Sequence, residues 1–236
     1  LPLNAARERN AFPIEVIDTA DVPGGGQLRL LKCGRDFSIH CGEDELMGSQ
    51  AFASEEALAT LAVGRMGERR DDILIGGLGM GFTLGAALRT LPATTSVIVA
   101  ELVPEVVGWA KGPLAHIFAD HLVDPRVTIR IDDVHDVIEH ASEGFDAILL
   151  DVDNGPDGFI RDANDRLYCD WGLRSAFDAL RPEGVLAIWS AYDDDAFVER
   201  LGNAGFDVET ASIPDRFARR PKNYTVWLAV KPRPGG

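Results

Sequence analysis

The sequence predicts an α/β fold: a mostly parallel seven-stranded sheet covered by helices, with a small N-terminal antiparallel β subdomain in front of it. Three observations predict it. From Asp71 onward, short apolar runs alternate regularly with helical patterns, the signature of consecutive βαβ units. Several of those runs are apolar throughout, as in Ala147-Ile148-Leu149-Leu150, which suits strands covered on both faces of a parallel sheet. The first fifty residues differ, with brief β-prone runs broken by glycine turns. The expected organisation is therefore a β-meander over 1–53 and a catalytic domain over 54–236.

The elements follow in order. Glu15 to Asp18, Leu28 to Cys33 and Phe37 to Cys41 are β-prone, and Pro23-Gly24-Gly25-Gly26, Gly34 and Gly42 punctuate them. Ser54 is placed to cap a helix from Glu55 to about Gly64, with Glu55 and Glu56 favourable in its first turn. Strands are expected at 72–76, 96–101, 127–131, 145–151 and 184–190. Helices are expected near 82–91, 104–118, 134–141, 167–181 and 195–204. Two further β-prone segments, Phe206 to Ile213 and Tyr224 to Val230, complete seven strands. The polar, basic stretch between them (Arg216, Arg219, Arg220, Lys222) reads as a solvated loop or a lid.

Composition narrows the function. An apolar fraction of 46% is ample for a core. A formal charge of −15 argues against a nucleic-acid partner, which needs Lys and Arg to displace counterions, and is compatible with a cationic substrate such as an amine. No run is long enough to cross a bilayer, so no membrane partner is expected. There is no signal-peptide pattern, and an opening at Leu1 leaves a trimmed N-terminus open. Cys33, Cys41 and Cys169 show no metal-ligand spacing, and the histidines form no zinc motif. A reduced, cytoplasmic compartment and no metal are expected.

The stretch Asp71 to Glu101 carries the strongest chemical signal. A strand runs into Gly76-Gly77-Leu78-Gly79-Met80-Gly81, a helix opens near Phe82, and a second strand ends at Glu101. Glycines permit a sharp turn and close approach of backbone to ligand. The helix start directs unpaired N–H groups toward it. Glu101 lies 20 residues beyond Gly81, where an acid can accept from both ribose hydroxyls, with Leu102 beside it. A purely structural turn is the alternative. At the end of the third strand of this domain, Asp132 is placed for the adenine amine, and Asp133 for capping the next helix beside the ligand. At the end of the fourth, Asp151 would face the reactive centre, where it can hold or deprotonate an amine. Asp153 and Asn154 can orient the acceptor, although Asp153-Asn154-Gly155-Pro156 is also a good turn. Gln50 and Tyr168 are further candidates for the acceptor pocket, while Trp171 and Trp189 read as core.

Five parallel strands followed by a final pair resemble the class I S-adenosylmethionine-dependent methyltransferase fold, which is Rossmann-like. Within it, the chain resembles the spermidine synthase group over almost its whole length. The resemblance rests on the amino-terminal meander, the Gly76–Gly81 loop, Asp151 at the end of a hydrophobic strand, Leu167-Tyr168 and Leu180-Arg181-Pro182-Glu183-Gly184. It implies alkyl transfer from a sulfonium nucleoside to an amine, a cofactor that is S-adenosylmethionine or its decarboxylated form, and a homodimer.

The chain departs from that family at three places. Met80 stands where the family carries an acid that holds the amino end of decarboxylated S-adenosylmethionine. The segment after Asp151 is longer by one residue, and Ala53-Ser54 replaces the family's polyamine-holding pair. On the ground of Met80 the first expectation is methyl transfer from S-adenosylmethionine to a small amine. Aminopropyl transfer from the decarboxylated cofactor is the alternative, together with other transfer or cyclisation from the amino-acid side of the sulfonium. A nucleoside-binding module is the non-enzyme alternative.

Overall fold

The structure is a computed structural model, and it describes residues 12–152, 165–215 and 222–233. The N-terminal sheet contains β1 (Ile14–Asp21), β2 (Gln27–Cys33), β3 (Asp36–Cys41) and β4 (Asp44–Gly48), paired antiparallel in sequence order. Helix α1 (Ala53–Arg65) leads into the main domain. There follow β5 (Asp72–Gly76), α2 (Phe82–Thr90), β6 (Ser96–Glu101), α3 (Pro104–Lys111), the single turn α4 (Ala115–Phe118), β7 (Val127–Ile131), α5 (Val134–Glu139) and β8 (Phe145–Leu150). The chain closes with α6 (Asp165–Tyr168), α7 (Asp170–Ala179), β9 (Leu180–Ser190), α8 (Asp195–Asn203), β10 (Asp207–Pro214) and β11 (Asn223–Val230).

The large sheet has the order β10-β11-β9-β8-β5-β6-β7. Strands β5 to β9 run parallel, β11 inserts antiparallel beside β9, and β10 pairs antiparallel with β11. This is a class I methyltransferase-like fold. The strand pleat distributes the core. On β5, Ile73 and Ile75 face one layer and Leu74 the other; on β8, Ala147 and Leu149 oppose Ile148 and Leu150. Both faces are dry, which explains why these strands are apolar at every position.

The small sheet is not an independent unit of packing. Ala20, Leu30, Phe37 and Ile39 join the same buried cluster as Ile73, Val97 and Leu149 of the large sheet. Trp109 Nε1 donates to Asp18 Oδ2 at 2.8 Å, tying α3 to β1. The meander is therefore held over one edge of the main domain.

The differences from the sequence expectation have local causes. Strand β4 lies outside the β-prone runs expected from the sequence: it is short, partly exposed, and its pairing slips between Ile39 and His40. Helix α1 starts at Ala53, and Ser54 does not cap it; its hydroxyl turns to Glu55 Oε2 at 2.6 Å. The expected helix 104–118 breaks after Lys111, where Gly112 and then Pro113 interrupt the hydrogen-bond ladder. Trp171, read as core, is 49% exposed and lies against the His135 ring. Among the described residues, no helix is long and apolar enough to cross a membrane.

Candidate active site

The carboxyl ends of parallel strands collect unpaired backbone groups and loops, so ligands bind there. In this protein the ends of β5, β6, β7 and β8 open onto one cleft, roofed by β2, β3 and β4. The cleft is open to solvent, and its empty space out to the mouth is about 1190 Å³.

The glycine loop forms one wall. Gly77, Gly79 and Gly81 take φ values of 88°, 49° and 77°, which glycine adopts at least cost. Space imposes the same choice. A Cβ on Gly77 would collide with the Asp151 carbonyl, and one on Gly81 with the Phe118 ring. Gly76 lies behind the wall rather than on it. Its missing side chain makes room for Val134 and Leu150, and its carbonyl accepts from Asp151 N at 3.0 Å. In the structure Gly76 serves packing, and the cleft lining of the loop begins at Gly77.

Glu101 ends β6 and is 7% exposed. Its Oε2 accepts from Leu78 N at 2.9 Å and its Oε1 from Val103 N at 2.8 Å. The carboxylate therefore fastens the glycine loop to the next strand while still facing the cleft. Burial pushes its pKa up, against the pull of those backbone N–H groups. Leu102 lies beside it on the cleft wall.

Asp132 and Asp133 follow β7 and both line the cleft. Asp132 Oδ2 accepts from Arg130 Nη2 at 2.6 Å. Asp133 caps α5, accepting from His135 N at 2.9 Å through Oδ1, and from Arg166 Nη2 at 3.0 Å through Oδ2.

Asp151 follows β8 at the base of the cleft. Thr83, in the first turn of α2, donates its hydroxyl to Asp151 Oδ2 at 2.6 Å. Burial pushes the Asp151 carboxyl up to about 6, and the Thr83 bond opposes that shift. Opposite it stands Glu55, in the first turn of α1. Burial and then the neighbouring Asp151 charge push Glu55 up to about 7. A carboxyl pair of this kind was not anticipated, because Glu55 and Glu56 read as interchangeable first-turn acids. The structure separates them: Glu56 turns outward to Arg89 Nη2 at 2.6 Å, while Glu55 turns into the cleft. Trp189, also read as core, is buried and forms part of the cleft wall.

Five carboxylates (Glu55, Glu101, Asp132, Asp133 and Asp151) line the cleft, and among the described residues no Lys, Arg or His does. The lining is acidic, and two of its carboxylates, Asp132 and Asp133, are paired with Arg130 and Arg166. Met80 lines the wall as an apolar residue, 2% exposed.

Two candidates do not reach the cleft. Gln50 is exposed and binds Asp36 at the start of β3, next to Ser49, whose N–H donates to the Phe37 carbonyl at 2.9 Å. Tyr168 is buried on the far side of the sheet, edge-on to Phe197 at 5.8 Å, because α6 packs against the layer containing α7 and α8. Asp153 and Asn154 lie outside the described residues, as do Arg216, Arg219 and Arg220. Away from the cleft, His135, Asp136 and Glu139 bring ligand-type atoms within 4.8 Å of one another on the surface of α5.

Neither a family model nor a curated protein matches this chain. Solved structures do. A spermidine synthase in complex with the transition-state analogue AdoDATO superimposes with a TM-score of 0.77 at 18% identity, covering 92% of this chain and 73% of that one. Spermidine synthase from Thermotoga maritima superimposes with a TM-score of 0.73 at 17% identity, covering 92% and 72%. The chain has a spermidine synthase-like fold.

Proposed function

We propose that this protein is a transferase that moves the aminopropyl group of decarboxylated S-adenosylmethionine to a small amine. The observation that carries this reading is the charge of the cleft: five carboxylates with no basic residue among the described lining. A ligand bearing a sulfonium and an ammonium fits that field. The carboxylate of ordinary S-adenosylmethionine would add a further negative charge to this acidic cleft; each like charge within 4 Å of it would cost about 1 kcal/mol in water and about 4 at an effective dielectric near 20. This reverses the order of preference that Met80 suggests in the sequence, where only the loop position is visible. The match in fold to spermidine synthases, one of them solved with a transition-state analogue, supports the same class.

The residues present fit such a cofactor. The Glu101 carboxylate, held by backbone N–H groups that include those of Leu78 and Val103, faces the cleft at the position for a ribose hydroxyl. The glycine loop offers a wall without side chains over Gly77 and Gly79. When bound, the sulfonium supplies an activated carbon and a good leaving group. Asp151 receives the proton that the acceptor nitrogen loses as the C–N bond forms. The C–S bond breaks with its electron pair going to sulfur, and methylthioadenosine is the spent nucleoside. Thr83 holds the Asp151 carboxylate in one orientation. Alignment in the cleft contributes several kcal/mol, up to roughly 7 to 11 in ideal systems.

Methyl transfer is the second reading, and Met80 favours it: the loop offers no acid to an ammonium at the amino-acid end of the cofactor. Mass analysis of the spent nucleoside separates the two. Incubation with an amine and the decarboxylated cofactor is expected to release methylthioadenosine. Release of S-adenosylhomocysteine from ordinary S-adenosylmethionine, with the decarboxylated form inert, would reject aminopropyl transfer.

A further inference from the structure

We propose that Glu55 is the proton-holding partner of Asp151, so that the two carboxyls act as a single base toward the acceptor amine. This deepens the alkyl-transfer reading and rests on it. Glu55 and Asp151 come from opposite walls, the start of α1 and the end of β8, and both face the cleft. Thr83 sits between the two walls: its hydroxyl donates to Asp151 Oδ2 at 2.6 Å and lies 3.3 Å from the Glu55 backbone carbonyl. A second hydroxyl orients Glu55, since Ser54 Oγ lies 2.6 Å from Glu55 Oε2.

Among the described residues, no positive charge acts on Glu55. The charges acting on Glu55 are those of Asp151 and, more weakly, Asp215 beyond β10. Tyr224 on β11 donates to Asp215 at 3.2 Å, and Lys222 lies over the Tyr224 ring at 4.6 Å. Glu45 on β4 adds another negative charge near Tyr224. From α1, Glu56 is engaged by Arg89 and turned away.

Two buried like charges hold their first proton more tightly than either would alone. The pair therefore binds that proton near pH 7, at the higher of the two positions, about 7 for Glu55 against about 6 for Asp151. An isolated carboxylate would bind it near pH 4. An alkyl ammonium loses its proton near pH 10, so the pair narrows the gap that proton transfer must cross. The balance is simple. The amine proton passes to Asp151 as the C–N bond forms, and it is then shared with Glu55 until solvent removes it. No other reactant is required.

The test is Glu55→Gln in the full chain, read in two ways. The first is a ¹³C-NMR titration with carboxyl-labelled aspartate, with the Asp151 signal assigned by its disappearance in Asp151→Asn. In the wild type, the Asp151 carbon is expected to titrate in two steps, the upper near pH 7. In Glu55→Gln, one step is expected, about one pH unit or more lower. The second reading is the pH profile of kcat/KM. Its acidic limb should move down by the same amount, and the plateau should fall about tenfold or more, whereas Glu55→Asp should keep the upper limb. Superimposable Asp151 titrations or an unmoved acidic limb would overturn the proposal. If Glu55→Gln does not fold, a single-step Asp151 titration in the wild type overturns it alone. Calorimetry with methylthioadenosine is run beside both. Absence of binding to the wild type sinks the alkyl-transfer reading itself, an outcome distinct from an uncoupled pair.

Discussion

Asp151→Asn is expected to lower turnover about 10³-fold, roughly 4 kcal/mol of barrier, while methylthioadenosine affinity stays within about twofold. The substitution is nearly isosteric. The amide oxygen can still accept the Thr83 hydroxyl that lies 2.6 Å from Asp151 Oδ2, so the local packing survives. The backbone bond from Asp151 N to Gly76 O is untouched. What disappears is the capacity to take a proton and the negative charge beside the reacting carbon. Single-turnover kinetics and calorimetry on the same preparation check both parts. Equal loss of binding and turnover would demote Asp151 to a structural residue. A protein that binds the nucleoside but shows no turnover with any amine, in wild type and variant alike, would favour the binding-module reading.

Glu101→Ala is expected to have the second large effect, on two observables at once. Methylthioadenosine affinity should fall at least 100-fold, and the unfolding free energy should drop by about 2 kcal/mol or more. Both follow from the dual use of one carboxylate. Its oxygens satisfy the buried N–H groups of Leu78 and Val103, and leaving a buried donor unpaired costs about 1 to 3 kcal/mol. The same oxygens face the cleft where a ribose would sit. Urea denaturation with and without ligand separates the contributions. Unchanged affinity would remove Glu101 from the nucleoside site, and unchanged stability would contradict its role as a fastener of the loop.

The fold was largely legible because its strands are buried on both faces. A run such as Ile73-Leu74-Ile75 has no polar position to confuse the period, and its bounds in the structure, Asp72–Gly76, are those expected. The meander was less legible. Strand β4 carries Asp44 and Glu45 on an exposed edge, where charge and short length are usual and the hydrophobic signal is weak. In the site, positions following strand ends could be placed, so Glu101, Asp132, Asp133 and Asp151 all fall on the cleft. Residues whose role depends on how separate elements pack could not. Glu55 reaches the cleft because α1 packs on one face of the sheet against β8, β9 and β11, and nothing local distinguishes it from Glu56. Tyr168 follows the reverse course: its aromatic character suggested a ligand contact, but its helix belongs to the opposite layer.

The central claim is that the cleft recognises an adenosine bearing two positive charges and no negative one. Isothermal titration with decarboxylated S-adenosylmethionine and with S-adenosylmethionine tests it most directly. The decarboxylated form is expected to bind about 100-fold more tightly, a difference of about 2.7 kcal/mol. Equal affinity, or preference for the carboxylate-bearing form, would contradict the account.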